Sequence, residues 1–222
     1  MQTTRRQFMA ASAAAALYAG GAGAQGVNER IGIAVIGCGG RGSHHLNELV
    51  PRRDELQVEI VALCDVWQKH LQATADWVET ETGKRPKTFA RFQEVLNLPE
   101  VDAVVITTPD FAHTPILIEA SNAKKQVFVE KPMSINIEEA VQAVDTVEAN
   151  KTICQVGTQH RSEGEHIAAA RQFQTGILGT LIKAHCTYND NRARWIRDFS
   201  EVREADVDWE KFRMHLPKAP FD

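Results

Sequence analysis

A run of glycines carrying one arginine, Gly37-Cys38-Gly39-Gly40-Arg41-Gly42, follows the apolar stretch Ile31–Ile36 and leads into a segment able to form a helix. This spacing suits an anion held by bare backbone. Gly37 permits a tight strand-to-helix turn, Gly39 lets the main chain approach a diphosphate, and Gly42 lets the helix lie close to the strand. The diphosphate would rest on unpaired N–H groups at the positive end of the helix dipole, with Cys38, Gly40 and Arg41 completing the cradle. A second apolar run, Val58–Cys64, leads into Asp65, 23 residues beyond Gly42. That is near the roughly 20-residue spacing of an acid that accepts from an adenosine ribose. A carboxylate there would repel a 2'-phosphate, which favours NAD(H) over NADP(H). The alternative for Asp65 is a helix cap ahead of Val66 and Trp67.

Two further stretches carry reactive side chains directly after apolar runs: Thr107-Thr108-Pro109-Asp110-Phe111-Ala112-His113, and Glu130-Lys131-Pro132. In a doubly wound sheet, ligands bind beyond the carboxyl ends of the strands, so both loops would share one crevice with the glycine turn. Lys131 is the candidate for proton transfer or orientation of a hydroxyl; a solvated Glu130-Lys131 surface pair is the bland reading. His113 reads either as a polar residue at a helix start or as a contact to the nicotinamide end, and Thr108-Pro109 either as a cofactor loop or as an ordinary turn. Gln159, His160 and Arg161 lie just past a strand and could meet a sugar or polyol, or form a hinge.

The elements that must position these residues alternate in type. Strand candidates are 31–36, 58–64, 103–107, 126–129 and 152–156. Between them run amphipathic segments, one with Trp67, Leu71, Thr74 and Val78 at helical spacing. Another carries Ala140, Val141, Val144 and Val147 behind a capping box of Asn136 and Glu139. Strands apolar on both faces with helices between them imply an α/β fold, a Rossmann-type doubly wound parallel sheet. Near residue 157 the pattern changes. A helix over 163–174 closed by Gly176 precedes an alternating stretch, 181–188, that reads as a long strand of an open sheet. We therefore expect a dinucleotide domain over 27–156 and the start of an incomplete second α+β domain over 157–222, since one strand makes no stable sheet.

Bulk composition narrows the functional classes. The chain has 222 residues, 43% hydrophobic and 24% charged, with a net charge of -4. Its 25 basic residues are dispersed among 29 acidic ones, so no basic face for nucleic acid is indicated. Residues 1–26 read as an export leader rather than as part of the fold. Arg5-Arg6-Gln7-Phe8 resembles a twin-arginine signal, the Ala/Gly-rich stretch 10–24 is too short and glycine-rich for a membrane anchor, and Ala22-Gly23-Ala24 is a small-residue cleavage site. Periplasmic or extracellular delivery of a prefolded protein follows. Cys38, Cys64, Cys154 and Cys186 show no metal-ligand spacing and read as buried small hydrophobes.

Taken together, the glycine turn, Asp65, Thr108-Pro109 with His113, and above all Glu130-Lys131-Pro132 resemble the oxidoreductase family of glucose-fructose oxidoreductase, inositol dehydrogenase and MocA-like proteins. The resemblance extends from Ile31 to about Asp222. The stretch 156–162 and the tail Asp208-Trp209-Glu210-Lys211-Phe212 are similar to secreted members. It implies an NAD-dependent enzyme acting on a carbohydrate or polyol hydroxyl, with Lys131 reaching both the nicotinamide ribose and the substrate hydroxyl and a cis Lys131-Pro132 bond. It also implies association through the open sheet of the full-length second domain, as a homo-oligomer. The family's acid and histidine of the second domain have no match here, so the resemblance implies a C-terminally truncated chain. Two alternatives accompany this reading: an NAD-dependent glycosidase that oxidises its sugar transiently, and a dinucleotide-binding module without turnover.

Overall fold

The structure, a computed structural model, describes residues 30–187 and 200–221. The leader-like stretch 1–26 and Tyr188 lie outside the described residues. The chain alternates strand and helix as the apolar periodicity requires: β1 Ile31–Ile36, α1 Gly40–Leu49, α2 Arg53–Leu56, β2 Val58–Cys64, α3 Gln68–Thr82, β3 Lys87–Phe89, α4 Phe92–Leu96, β4 Ala103–Ile106, α5 Asp110–Asn122, β5 Gln126–Glu130, α6 Ile137–Asn150 and β6 Cys154–Gly157. A short 3-10 turn, Gln159–Ser162, then leads to α7, Gly164–Gln174, and a last short helix is α8, Trp209–Arg213.

All five strand pairings are parallel, and the strand order is β3-β2-β1-β4-β5-β6. The order reverses between β1 and β4, which is the switch point at which a doubly wound sheet opens a crevice. Register brings the strand ends level. Ile36 faces Cys64 on one side and Ile106 on the other, and Ile106 faces Val129. The glycine turn, Asp65, Thr107 and the Glu130-Lys131 loop are therefore brought to one edge, though they are distant in sequence.

Both sheet faces are covered. One core holds Ala34, Ile36, Val104, Ile106 and Val129 against Ile116, Leu117 and Ala143, from α5 and α6. The other holds Ile33, Val35 and Leu63 against Leu46, Leu71 and Val78, from α1 and α3. The expected α3 stripe is buried at Leu71, Thr74 and Val78, while Trp67 stands just before the helix. In α6 the capping box forms, the Asn136 side chain accepting from the Glu139 amide at 2.8 Å. Its stripe is rotated from the expected one. Ala143 is the buried residue, and Val141 and Val144 are 54% and 47% exposed, because the apolar residues exceed the width of the face that meets α5.

The region after β6 departs from expectation. Helix α7 forms and ends ahead of Gly176 at φ +76°, but all its residues except the half-buried Ile167 are exposed. Residues 181–187 form no strand, and Leu181 and Ile182 are 56% and 94% exposed. A strand exists only through a hydrogen-bonded neighbour, and no described edge is offered to this stretch. Among the described residues no helix is long and apolar enough to cross a membrane.

The close approach of α1 to β1 depends on one missing methyl. A Cβ on Gly42 would stand 2.0 Å from the Gly37 carbonyl oxygen and 3.0 Å from Thr107 Oγ1, whereas a Cβ on Gly40 would meet nothing within 4 Å. Alanine gains up to about 1 kcal/mol over glycine inside a helix, but overpacking costs about 1–3 kcal/mol. Gly42→Ala is therefore expected to lower the urea-unfolding free energy by about 1–3 kcal/mol, while Gly40→Ala leaves it unchanged or raises it. Equal stabilities of the two variants would contradict this account of the turn.

Candidate functional site: a cofactor cleft with a lysine at one end

The turn after β1 is held from both sides. Gly37, at φ +98°, donates its N–H to the Cys64 carbonyl at 2.8 Å, and its own carbonyl accepts from Thr107 Oγ1 at 2.6 Å. A Cβ there would strike the Thr107–Thr108 backbone at 2.8 Å, so no other residue fits without moving β4. Helix α1 begins after Gly39 with no side-chain cap and no acid in its first turn. Its first amides and the positive end of its dipole are thus left to an external acceptor. Beside Gly39 the nearest atom to an added Cβ is His70 Nδ1, at 4.0 Å, and beside Gly40 there is open space. The cradle fits a diphosphate. Open cleft volume above it is about 1810 Å³, lined by Gly39, Arg41, Asp65, Thr108 and Lys131 among others. That exceeds the roughly 300–1,000 Å³ of most small-ligand pockets.

Asp65 lines the same cleft at the end of β2. Its carboxylate accepts from the Cys38 amide at 2.6 Å and the Trp67 amide at 2.8 Å. Burial raises its pKa above the usual carboxylate range, and these amides work in the opposite direction. The helix-cap reading of Asp65 does not hold, because α3 follows Trp67 with no side-chain cap and the carboxylate bonds amides ahead of the helix. Two oxygens offer about four acceptor sites, so two amides leave room for ribose hydroxyls. Cys38 and Cys64 lie buried beneath, their thiols pushed well above ordinary values chiefly by burial. Cys154 is half-buried, and Cys186 is exposed, contrary to the expectation of four buried cysteines. Among the described residues 181–187 joins no sheet, and nothing described covers Cys186.

At the other end of the cleft stands the Glu130-Lys131-Pro132 loop, with the Lys131-Pro132 bond cis. Lys131 is exposed and lines the cleft, and its ammonium forms no ion pair among the described residues. The loop thus sets Lys131 at the open rim of the cleft. Glu130 is the buried member, 3% exposed. Its Oε1 accepts from Arg41 Nε and meets His45 Nε2, both at 2.7 Å, while Oε2 accepts from the Lys131 amide at 3.1 Å. Burial opposes charge on Glu130, but the His45 and Arg41 hydrogen bonds outweigh it and hold the carboxyl below its usual range. His45 is itself lowered, mainly by burial and despite the Glu130 bond. Its ring also lies edge-on to Phe128 at 5.0 Å. Helix α1, which carries the cradle, is thereby bonded to the loop that carries Lys131.

His113 lines the cleft from within its wall. It is 1% exposed, with Nδ1 2.7 Å from the Pro132 carbonyl oxygen and Nε2 2.8 Å from that of Thr108. Both ring nitrogens are committed to backbone, so the imidazole ties the Thr108-Pro109 loop to the Lys131-Pro132 loop. At the cleft wall Thr108 Oγ1 is a buried polar atom without a partner among the described residues. Gln159 reaches the cleft; His160 turns instead to Glu163, Nδ1 to Oε1 2.7 Å, and Arg161 is exposed outside the cleft lining. The sequence reading missed His45, and it placed Thr107 only in a loop and Trp67 only on a helical stripe. The spacing of His45 four residues after Arg41 on one helix face was the available signal for the first.

Acid should loosen the Arg41–Glu130–His45 cluster. The lowered Glu130 carboxyl contributes stability at neutral pH and loses it as pH falls through that lowered value. His45 is held below its ordinary value of about 6.5, so the unfolded chain takes up a proton first and stability declines as pH drops below that value. His45→Gln keeps an amide donor without a titration. Its thermal midpoint is expected to fall less between about pH 7 and 5.5 than that of the unsubstituted protein. An unchanged slope over this interval would remove His45 from the acid response.

This chain is similar to known proteins. A glycosyl hydrolase family 109 protein of Shewanella baltica is 26% identical over 184 residues, which are 81% of this chain and 39% of the relative. The scyllo-inositol dehydrogenase of Lactobacillus casei, crystallised with NAD(H) and scyllo-inositol, is 25% identical, with a TM-score of 0.61 over 68% of this chain and 43% of its own. The WlbA dehydrogenase of Bordetella pertussis, in complex with NADH and UDP-GlcNAcA, is 26% identical, with a TM-score of 0.61 over 68% of this chain and 43% of its own. The chain thus spans less than half the length of these relatives. Residues 31–158, more than half of the chain, match the oxidoreductase family with an NAD-binding Rossmann fold typified by glucose-fructose oxidoreductase, inositol dehydrogenase and MocA, and the chain belongs to that family.

Proposed function

We propose that this chain is the cofactor-binding part, with the opening of a substrate domain from about residue 157, of an NAD(H)-dependent oxidoreductase. The reaction moves hydride between a sugar or polyol carbinol carbon and the nicotinamide. One observation carries the reading: an uncapped, glycine-lined helix start at the end of β1 and, at the end of β5, a lysine with no ion pair among the described residues open into the same cleft. A bound dinucleotide supplies the hydride acceptor. The amides after Gly39 grip its diphosphate, Asp65 receives the adenosine ribose, and Thr108 Oγ1, which has no partner among the described residues, gains one. Lys131 Nζ orients the substrate hydroxyl and takes part in its proton transfer, while Glu130, Arg41 and His45 hold the loop beneath it. Gln159 lies within reach of substrate, with His160 and Arg161 beside it.

The bound ligands of the inositol and sugar-nucleotide dehydrogenases support a small carbohydrate substrate for this chain. A second reading has its own support in the glycosyl hydrolase family 109 relative: transient oxidation of a sugar, elimination of the aglycone, and re-reduction, with no net use of NAD. Both begin with the same hydride transfer. We also propose twin-arginine export of the protein by residues 1–26, truncation of the chain relative to its full-length form, and homo-oligomer formation through the completed second domain.

NADH fluorescence titration is expected to give binding that Asp65→Ala weakens, and unchanged affinity would remove Asp65 from the cofactor site. In the full-length protein, Lys131→Met should leave NADH affinity within about threefold and lower turnover about 10²–10⁴-fold, the usual contribution of a positioned acid–base group. Net NADH formation from a polyol supports the dehydrogenase. Aglycone release without net NADH supports the glycosidase, and binding without either reduces the chain to a coenzyme-binding module.

A further inference from the structure

Residues 200–221 lie beyond the stretch that matches the family, yet they return to the carboxyl edge of its sheet. The Asp208 amide donates to the Val66 carbonyl at 3.0 Å, and Val207 forms an antiparallel bridge with Trp67, two residues past Asp65. Lys69 pairs with Glu201 at 2.5 Å. Having joined the β2–α3 turn, the segment crosses to the start of α5, where Phe212 meets Phe111 edge to face at 5.8 Å. His215 lies 3.9 Å from Glu139 of α6. Val202, Val207, Trp209, Lys211 and Phe212 all line the cleft that the glycine turn opens into.

The segment is internally braced. Asp208 caps α8, accepting from the Lys211 amide at 3.1 Å. Trp209 Nε1 donates to the Ala219 carbonyl at 2.8 Å, and its ring stacks on Phe212 at 5.1 Å and 11°. Arg213, 5% exposed, donates to the Pro217 carbonyl at 2.9 Å and folds the end back. Rings fixed in this way present a flat, preorganised apolar surface at little further cost in side-chain entropy.

Sheet order tells which half of a dinucleotide would meet this surface. Strands β2 and β5 are separated by β1 and β4, three spacings of about 4.8 Å, or about 14 Å across the edge. A dinucleotide with its diphosphate at the β1 turn and its reacting ring beside Lys131, at β5, must place its other nucleoside at β2, under this segment. We propose that residues 201–216 form the outer wall of the adenosine half of the cofactor cleft, with Phe212 and Trp209 supplying ring surface to the purine. The proposal rests on the coenzyme reading above.

The test uses three probes on the chain: NADH, AMP and nicotinamide mononucleotide. Phe212→Ala is expected to weaken NADH and AMP about tenfold each, within the usual range for loss of one base–aromatic contact, and to leave the mononucleotide within twofold. Phe212→Tyr should restore both. Independently of any substitution, AMP should slow amide hydrogen exchange across residues 201–216 more than the mononucleotide does. Unchanged NADH and AMP affinity in a folded Phe212→Ala protein, or no added exchange protection by AMP, would overturn the wall while leaving the coenzyme reading intact. Failure of the unsubstituted chain to bind NADH would overturn both.

Discussion

The contact on which the rest of this structure depends is the one between the Gly42 α-carbon and the Gly37 carbonyl. With hydrogen in place of a methyl, α1 can start directly above the end of β1 and aim its first amides into the cleft. Thr107 closes the arrangement from β4 by donating to that same Gly37 carbonyl, so the turn is shared between the two strands that flank the switch point. Everything that makes the edge a binding site, namely bare backbone, free donors and a helix dipole, follows from keeping side-chain atoms out of a few cubic ångströms.

From that contact the structure extends through Glu130. This carboxylate would be costly to bury alone, but it is met by a guanidinium and an imidazole from α1 and by the amide of Lys131. Helix α1 therefore carries two kinds of group on two sides: amides toward a diphosphate, and Arg41 and His45 toward the lysine loop. His113 makes a similar tie one layer deeper, between the loops after β4 and β5. Packed, hydrogen-bonded elements thus join the two ends of the cleft.

Much of this was legible in the residues themselves. Five strand candidates were placed within a residue or two, because a sheet covered on both faces demands apolar runs and each run was bounded by turn residues. The glycine turn was legible for the same reason that it works: few other sequences permit the backbone to pass there. Short elements such as β3, Lys87–Phe89, carried too few residues for a periodic signal. The 181–188 strand failed on different grounds. Alternation describes which way side chains point, but strand formation needs a neighbouring edge, and no residue pattern within the stretch supplies one.

The division between the two sources of information is physical. Local sequence alone determined the alternation of strand and helix, the glycine turn and the Asn136 cap, since each depends on propensity, periodicity or sterics within a few neighbouring residues. Tertiary structure alone decided that His113 braces two loops, that Glu130 is the buried hub and Lys131 the exposed one, and that Phe212 returns to the same cleft. Those facts depend on strand order and register, which bring groups 85 or 89 residues apart to hydrogen-bond distance. No window along the chain contains them.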